Sequence, residues 1–321
     1  MSSTDAFVRI LVTGGEGFVG RHLVRALSAG LPPRYEIIAG THGQPQAEVE
    51  ARRVPLDVTN ADQVRSVLLE TRPTHLFHLA AIAAIGAATR DVRQTWAVNF
   101  GGTLNLALAV AEALPDCRLL YCSSAQVYGS GPKPGEPIGE SAPFAPIDAY
   151  GASKAAADLM IEQMSKQGMR AIRLRPFNHT GPGQNDQFAA AAFAAQIARI
   201  ERGEQEPVIH VGALTSRRDF LDVRDVVDGY VRAVLRFDHL PPGSALNFAS
   251  GRAVAIGDIL NMLLAMSARK IEIRQDPSRV RGSEVSSVVG DASLAQRLLD
   301  WTPRTPIETT LAALLADYRS R

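Results

Sequence analysis

Tyr150 and Lys154 stand four apart in "YGASK". On a helix such residues share one face. A phenol titrates near 10, and a nearby cation lowers that value. The pair can then exchange a proton with an alcohol or carbonyl near neutral pH, while the ammonium holds a nicotinamide ribose. Ser124, in "YCSSAQVYGSG", can hydrogen-bond the same oxygen. Two residues on stands Gln126, an amide that cannot accept a proton from carbon at neutral pH.

A second chemical signature lies near the start, in "VTGGEGFVGRHL". Gly14, Gly17 and Gly20 have the spacing of a dinucleotide-binding turn between a strand and a helix. Gly14 permits the tight turn, Gly17 lets backbone approach a pyrophosphate, and Gly20 allows close helix–strand packing. An acid that would hold the ribose 2′-hydroxyl is expected about 20 residues on. The chain has "IIAGTHG" there, with Gly40, Thr41 and His42. Arg21 follows the third glycine and can meet a 2′-phosphate, so NADP(H) is favoured, with NAD(H) the alternative. Asp57 is either an adenine contact or a cap for the helix beginning near Asn60.

The elements that must carry these residues alternate. "FVRILVTG", "YEIIAG", "RVPLDV", "HLFHLAA", "RLLYCSS" and "MRAIRLRPF" read as strands. Helices are expected from about Gly17 to Ala29, around Thr95–Ala113 and over Ala149–Lys166. Apolar strands alternating with helices imply an α/β fold, a Rossmann-type doubly wound parallel sheet. After Asn178 the pattern changes, and "PVIHVG", "ALNFAS" and "KIEIRQD" suggest a smaller α/β substrate domain. The expected division is 1–178 plus 217–244 for the dinucleotide, and 179–216 plus 245–321 for the substrate.

With 321 residues and 46% hydrophobic content the chain can build a large core. Its 34 basic and 33 acidic residues are mixed, so no nucleic-acid partner is expected. No apolar stretch approaches a membrane span and no leader-like start is visible, so a cytoplasmic location is expected. Cys117 and Cys122 on one strand lie roughly 16 Å apart at about 3.3 Å per residue, too far for a disulfide. No Cys/His cluster has metal-ligand spacing, and no metal is expected.

The ordered set "TGGEGFVG", "HLAA", "SSAQVYG", "YGASK", "RPFNHTGPGQ" and "RRDFLDVRDVV" resembles the extended short-chain dehydrogenase/reductase family over nearly the whole chain. The resemblance implies Ser124, Tyr150 and Lys154 as catalytic residues. It implies a cofactor site from Gly14, Gly17, Phe18, Val19, Gly20 and Arg21. Asp57, Val58, Leu79, Ala80, Ala81 and Asn99 join them, with Tyr150 and Lys154. Asn99 is further expected to support the active-site helix. Ser124, Gln126, Asn178 and Arg218 are implied substrate contacts. "DPSRVRGSE" resembles the GDP-mannose branch and adds Arg281 and Glu284, although Gly282 stands where that branch often has proline. Dehydratases of the family carry glutamate at the position of Gln126. The resemblance therefore implies NAD(P)H-dependent reduction of a GDP-linked 4-keto-6-deoxyhexose, giving GDP-D-rhamnose or its 4-epimer. A nucleotide-sugar 4-epimerase is the alternative. It also implies a homodimer through a four-helix bundle.

Overall fold

Alternate residues of the first strand, β1 (Val8–Thr13), serve opposite cores: Ile10 and Val12 face one, Leu11 the other. The same alternation recurs in β2 (Tyr35–Thr41), with Ile37 and Ala39 against Ile38. Strands apolar on both sides must be covered on both sides. These strands belong to a seven-stranded sheet, every neighbouring pair of which is parallel. The computed structural model describes residues 7–32, 34–43, 51–131, 133, 136–277 and 285–321.

From one edge the sheet runs through β3 (Arg52–Pro55), β2, β1, β4 (His75–His78) and β5 (Arg118–Cys122). Strands Ala171–Pro176 and Ala245–Phe248 complete it. The order reverses between β1 and β4, which opens a crevice at their carboxyl ends. Helix α1 (Phe18–Gly30) and the helix Val223–Leu235 cover one face. Helix α2 (Ala61–Thr71) and the helices Gly102–Ala113 and Ala149–Lys166 cover the other.

The smaller part has its own apolar cluster, joining helices Ala189–Glu201, Ile256–Ala265 and Ile307–Arg319. Ala253–Ala255, Arg217–Asp222 and Asn178–Thr180 form a separate three-stranded sheet in that order. Residues 245–248, expected in the substrate segment, form the edge strand of the large sheet instead. Strand Arg217–Asp222, expected with the dinucleotide segment, pairs with 178–180 and 253–255. Short apolar strands carry no mark of the sheet they join; pairing decides it. Among the described residues no helix is long and apolar enough to cross a membrane. Both cysteines are free thiols.

Candidate active site

Helix Ala149–Lys166 begins at Asp148, whose side chain accepts a 2.7 Å hydrogen bond from the Gly151 amide. That cap places Tyr150 in the first turn and Lys154 one turn later. The serine turn packs directly against this helix start. A Cβ on Gly151 would come within 2.7 Å of the Gln126 carbonyl oxygen, so only glycine permits this approach. Ser124 itself caps the short turn Ala125–Val127, accepting from the Gln126 amide at 3.2 Å. Its side chain also lies close enough to act on the Tyr150 phenol. Sequence-distant Ser124, Gln126, Tyr150 and Lys154 are thus brought to one place.

Burial pushes the Tyr150 phenol above its ordinary range; the Ser124 hydrogen bond opposes this, and Cys122 and Asp148 add to it. The depression expected from Lys154 is not realised. The Lys154 ammonium donates to the Cys122 carbonyl and lies 4.7 Å over the Tyr121 ring. Desolvation lowers the lysine's own pKa, with Cys122 and Asp158 acting the other way. Tyr150 is therefore a phenol, ready to donate, at neutral pH.

Behind the site, Asp158 is fully buried and pairs with Arg173 at 2.7 Å and Arg175 at 2.8 Å. Burial pushes its carboxyl up, but the arginines outweigh this and hold it low. Arg175 also donates to the Tyr128 hydroxyl at 3.0 Å, and that hydroxyl donates to Asn247 at 2.7 Å. The helix that bears Tyr150 is so tied to strand Ala171–Pro176, and through Arg175 and Tyr128 to strand Ala245–Phe248.

Asn99 lies in a π-helical turn, Ala97–Gly101, within the long helical run from Val92 to Ala113. Its amide donates to Ser153 Oγ at 3.0 Å and to Ile82 O at 3.1 Å. Its oxygen accepts from Ile82 N at 2.8 Å. Ser153 in turn donates to Tyr150 O at 2.8 Å. Fully buried, Asn99 braces the active-site helix.

The glycine loop fits a dinucleotide. Gly14 has φ +66°, and a Cβ there would stand 3.0 Å from Ala80 backbone. A Cβ on Gly20 would stand 2.1 Å from Gly14 O. Gly17 is exposed at the start of α1 without a side-chain cap, leaving its first amides for an anion. The Leu79 and Ala80 amides both donate to Thr13 Oγ1, at 3.2 and 3.1 Å. That fixes the β4 end, where Ala81 follows, beside the glycine loop. Phe18 stacks on His179 at 6.1 Å, and Val19 lies half-buried beside it.

Three further expectations meet the geometry. Asn60, not Asp57, caps α2, through the Gln63 amide at 3.0 Å. The Asp57 carboxylate accepts from Thr59 and stays partly exposed at the sheet's end, while Val58 packs on Gly102. Arg21 donates to Gly183 O at 2.9 Å. Asn178 heads the strand beside Phe220, and Arg218 donates to Val285 O at 2.8 Å. Arg281 and Glu284 lie outside the described residues. Sequence reasoning missed His179, His22 and Arg53. His22 pairs with the Pro182 carbonyl at 2.9 Å, and no motif marks it.

Comparison with known proteins identifies the family. Residues 10–249 match the model of the NAD dependent epimerase/dehydratase family. The chain is 34% identical to a GDP-6-deoxy-D-mannose reductase of Pseudomonas aeruginosa, over 98% of each chain. It is 28% identical to a GDP-6-deoxy-D-talose 4-dehydrogenase of Aggregatibacter actinomycetemcomitans, again over 98% of each. Among solved structures, RMD from Pseudomonas aeruginosa complexed with NADPH superposes with a TM-score of 0.85. That match has 33% identity and covers 98% of this chain and 99% of the other. The chain therefore belongs to the NAD dependent epimerase/dehydratase family, the extended short-chain dehydrogenase/reductases that its motifs resemble.

Proposed function

We propose that the chain uses NADPH to reduce the C4 keto group of GDP-6-deoxy-4-keto-D-mannose, giving GDP-D-rhamnose. The observation that carries this reading is the full-length likeness to a GDP-6-deoxy-D-mannose reductase, on a site whose serine turn holds an amide at Gln126. A dehydratase needs a base for the C5 proton, and Gln126 cannot be one. Reduction of a ketone needs no such base.

When bound, the reduced nicotinamide supplies the hydride that adds to C4. Gly14, Gly17, Gly20 and the start of α1 hold the pyrophosphate. Ser124 hydrogen-bonds the C4 oxygen. Tyr150 gives its phenolic proton to that oxygen as the C=O π bond opens, leaving a hydroxyl. A phenol is protonated at neutral pH, and this is the form that reduction consumes. Lys154, one turn along on the same helix face, stabilises the tyrosinate until solvent reprotonates it. Asn178 and Arg218, with Arg281 and Glu284, bind the nucleotide sugar. Arginine forks suit its phosphates and a glutamate its ribose hydroxyls.

The enzyme works as a homodimer through helices Gly102–Ala113 and Ala149–Lys166. Leu108 and Leu159, 45% and 54% exposed, are the apolar contacts that a second copy covers. Two free thiols suit a reducing cytoplasm.

The test supplies GDP-6-deoxy-4-keto-D-mannose with NADPH, follows loss of the reduced nicotinamide absorbance, and identifies the product by NMR. Stoichiometric oxidation with GDP-D-rhamnose as product is expected. GDP-6-deoxy-D-talose would instead mean that the opposite face of C4 is presented. No oxidation, together with interconversion of GDP-hexoses without added NADPH, would point to a 4-epimerase.

A further inference from the structure

The glycine loop rests on the last residues of β2. The Gly15 amide donates to Gly40 O at 3.1 Å, and a Cβ on Gly15 would come within 2.8 Å of Ala39 Cβ. In dinucleotide folds the adenosine ribose lies at this strand end, where an acid selects the 2′-hydroxyl. Here β2 ends in Thr41, followed by His42 and Gly43, and no acid is present.

From Tyr35 to Pro55 the cationic side chains are His42, Arg52 and Arg53. Adjacent strand residues point to opposite faces. Arg52 takes the face of α2, pairing with Glu70, and also reaches Glu36. Arg53, in register with Ala39, takes the face of the glycine loop. Its Nε lies 3.3 Å from Glu16 Oε1, in the loop itself. Glu16 is only 10% exposed, and that oxygen makes no hydrogen bond. The contact is one of opposite charges, and it holds the guanidinium beside the glycine loop. His42 is directed at Asp57, 3.8 Å away. Arg21 donates to Gly183 O and its neighbour His22 contacts Pro182 O, both carbonyls following strand Asn178–Thr180.

We infer that Arg53, presented by Glu16 in the glycine loop, reads the 2′-phosphate and sets the preference for NADPH over NADH. The inference rests on the reading of the chain as a nicotinamide-dependent reductase. A guanidinium fork offers a phosphate two parallel hydrogen bonds, whereas a ribose hydroxyl gains little from it. Glu16 does two opposing things: it parks Arg53 over the strand end, and it repels the incoming phosphate.

The test is calorimetric titration of the full-length protein with NADPH, NADH and adenosine 2′,5′-bisphosphate. Arg53→Gln is expected to weaken NADPH and the bisphosphate about tenfold to a hundredfold, as for loss of a charge-assisted pair. NADH binding should stay within about twofold, which also reports that the variant is folded. Arg53→Lys should fall between, keeping the charge but losing the fork. Glu16→Gln should raise the NADPH-to-NADH affinity ratio. Equal losses for both dinucleotides in Arg53→Gln, or no loss for either, would overturn the inference. So would a fall in the ratio in Glu16→Gln. If the unaltered protein bound neither dinucleotide, the reductase reading itself would fail, and the inference with it.

Discussion

At Tyr150 the surroundings favour the neutral phenol, because desolvation outweighs the Ser124 hydrogen bond. Under the proposed reduction its proton is what the C4 oxygen needs. Tyr150→Phe is expected to lower kcat for ketone reduction about 10²- to 10⁴-fold, the usual worth of a placed proton donor. NADPH titration should be unchanged, which separates lost chemistry from lost binding. Gln126 plays a different part. It carries no proton, so Gln126→Ala should keep kcat/KM within about tenfold, the cost of one neutral hydrogen bond to substrate. A loss of several hundredfold would mean that the amide does more than contact the sugar.

Two helices set the geometry of these residues, and each does so through an irregularity. The π-turn Ala97–Gly101 inserts Asn99 against Ile82 and Ser153, bracing the helix that bears Tyr150. Gly151, in the first turn of that helix, lets the serine turn sit against it. Alanine in place of a helical glycine ordinarily stabilises by up to about 1 kcal/mol. Here the added methyl meets the Gln126 carbonyl, so Gly151→Ala is expected to move Ser124 away from Tyr150. Activity should fall on the order of a hundredfold, the cost of a misplacement of about 1 Å, with dinucleotide affinity little changed. Kinetics alongside binding titrations check this; a more stable, fully active variant would sink it.

The whole molecule should lose stability in mild acid. His78 is buried between Thr13 and Thr103, and desolvation, helped by Lys154, lowers its pKa to about 3. His75 is lowered to about 4, again chiefly by burial. Both lie below the unfolded value near 6.5. Above that value neither state is protonated. As pH falls below it, the unfolded chain takes up protons that the folded chain refuses, so stability falls. The slope is at most about 1.4 kcal/mol per pH unit for each histidine. Urea unfolding at about pH 7 and about pH 5 checks the direction, and His75→Gln should reduce the slope by roughly half. At the same scale, Leu108 and Leu159 are exposed on adjoining helices. Under the proposed homodimer, Leu159→Glu is expected to give a particle of one chain mass by light scattering and the unaltered protein one of two.

Much of this was legible in local pattern, because period and spacing are local properties. Strand alternation announces the sheet, the glycine spacing the turn from β1 into α1, and the Tyr150–Lys154 spacing their shared helix face. The helix Ala149–Lys166 falls on the expected residues, since Asp148 is a strong cap and the alanine-rich run has high helix propensity. Other features depend on partners far away in sequence. Ala245–Phe248 joined the large sheet because Ala171–Pro176 offered it a free edge. Arg21 turned to Gly183, while Arg53 reached Glu16 across a strand pair. The state of Tyr150 was also decided in three dimensions. Spacing alone put a cation beside the phenol, but folding gave that cation to the Cys122 carbonyl and left the phenol half-buried, and desolvation raises a phenol's pKa.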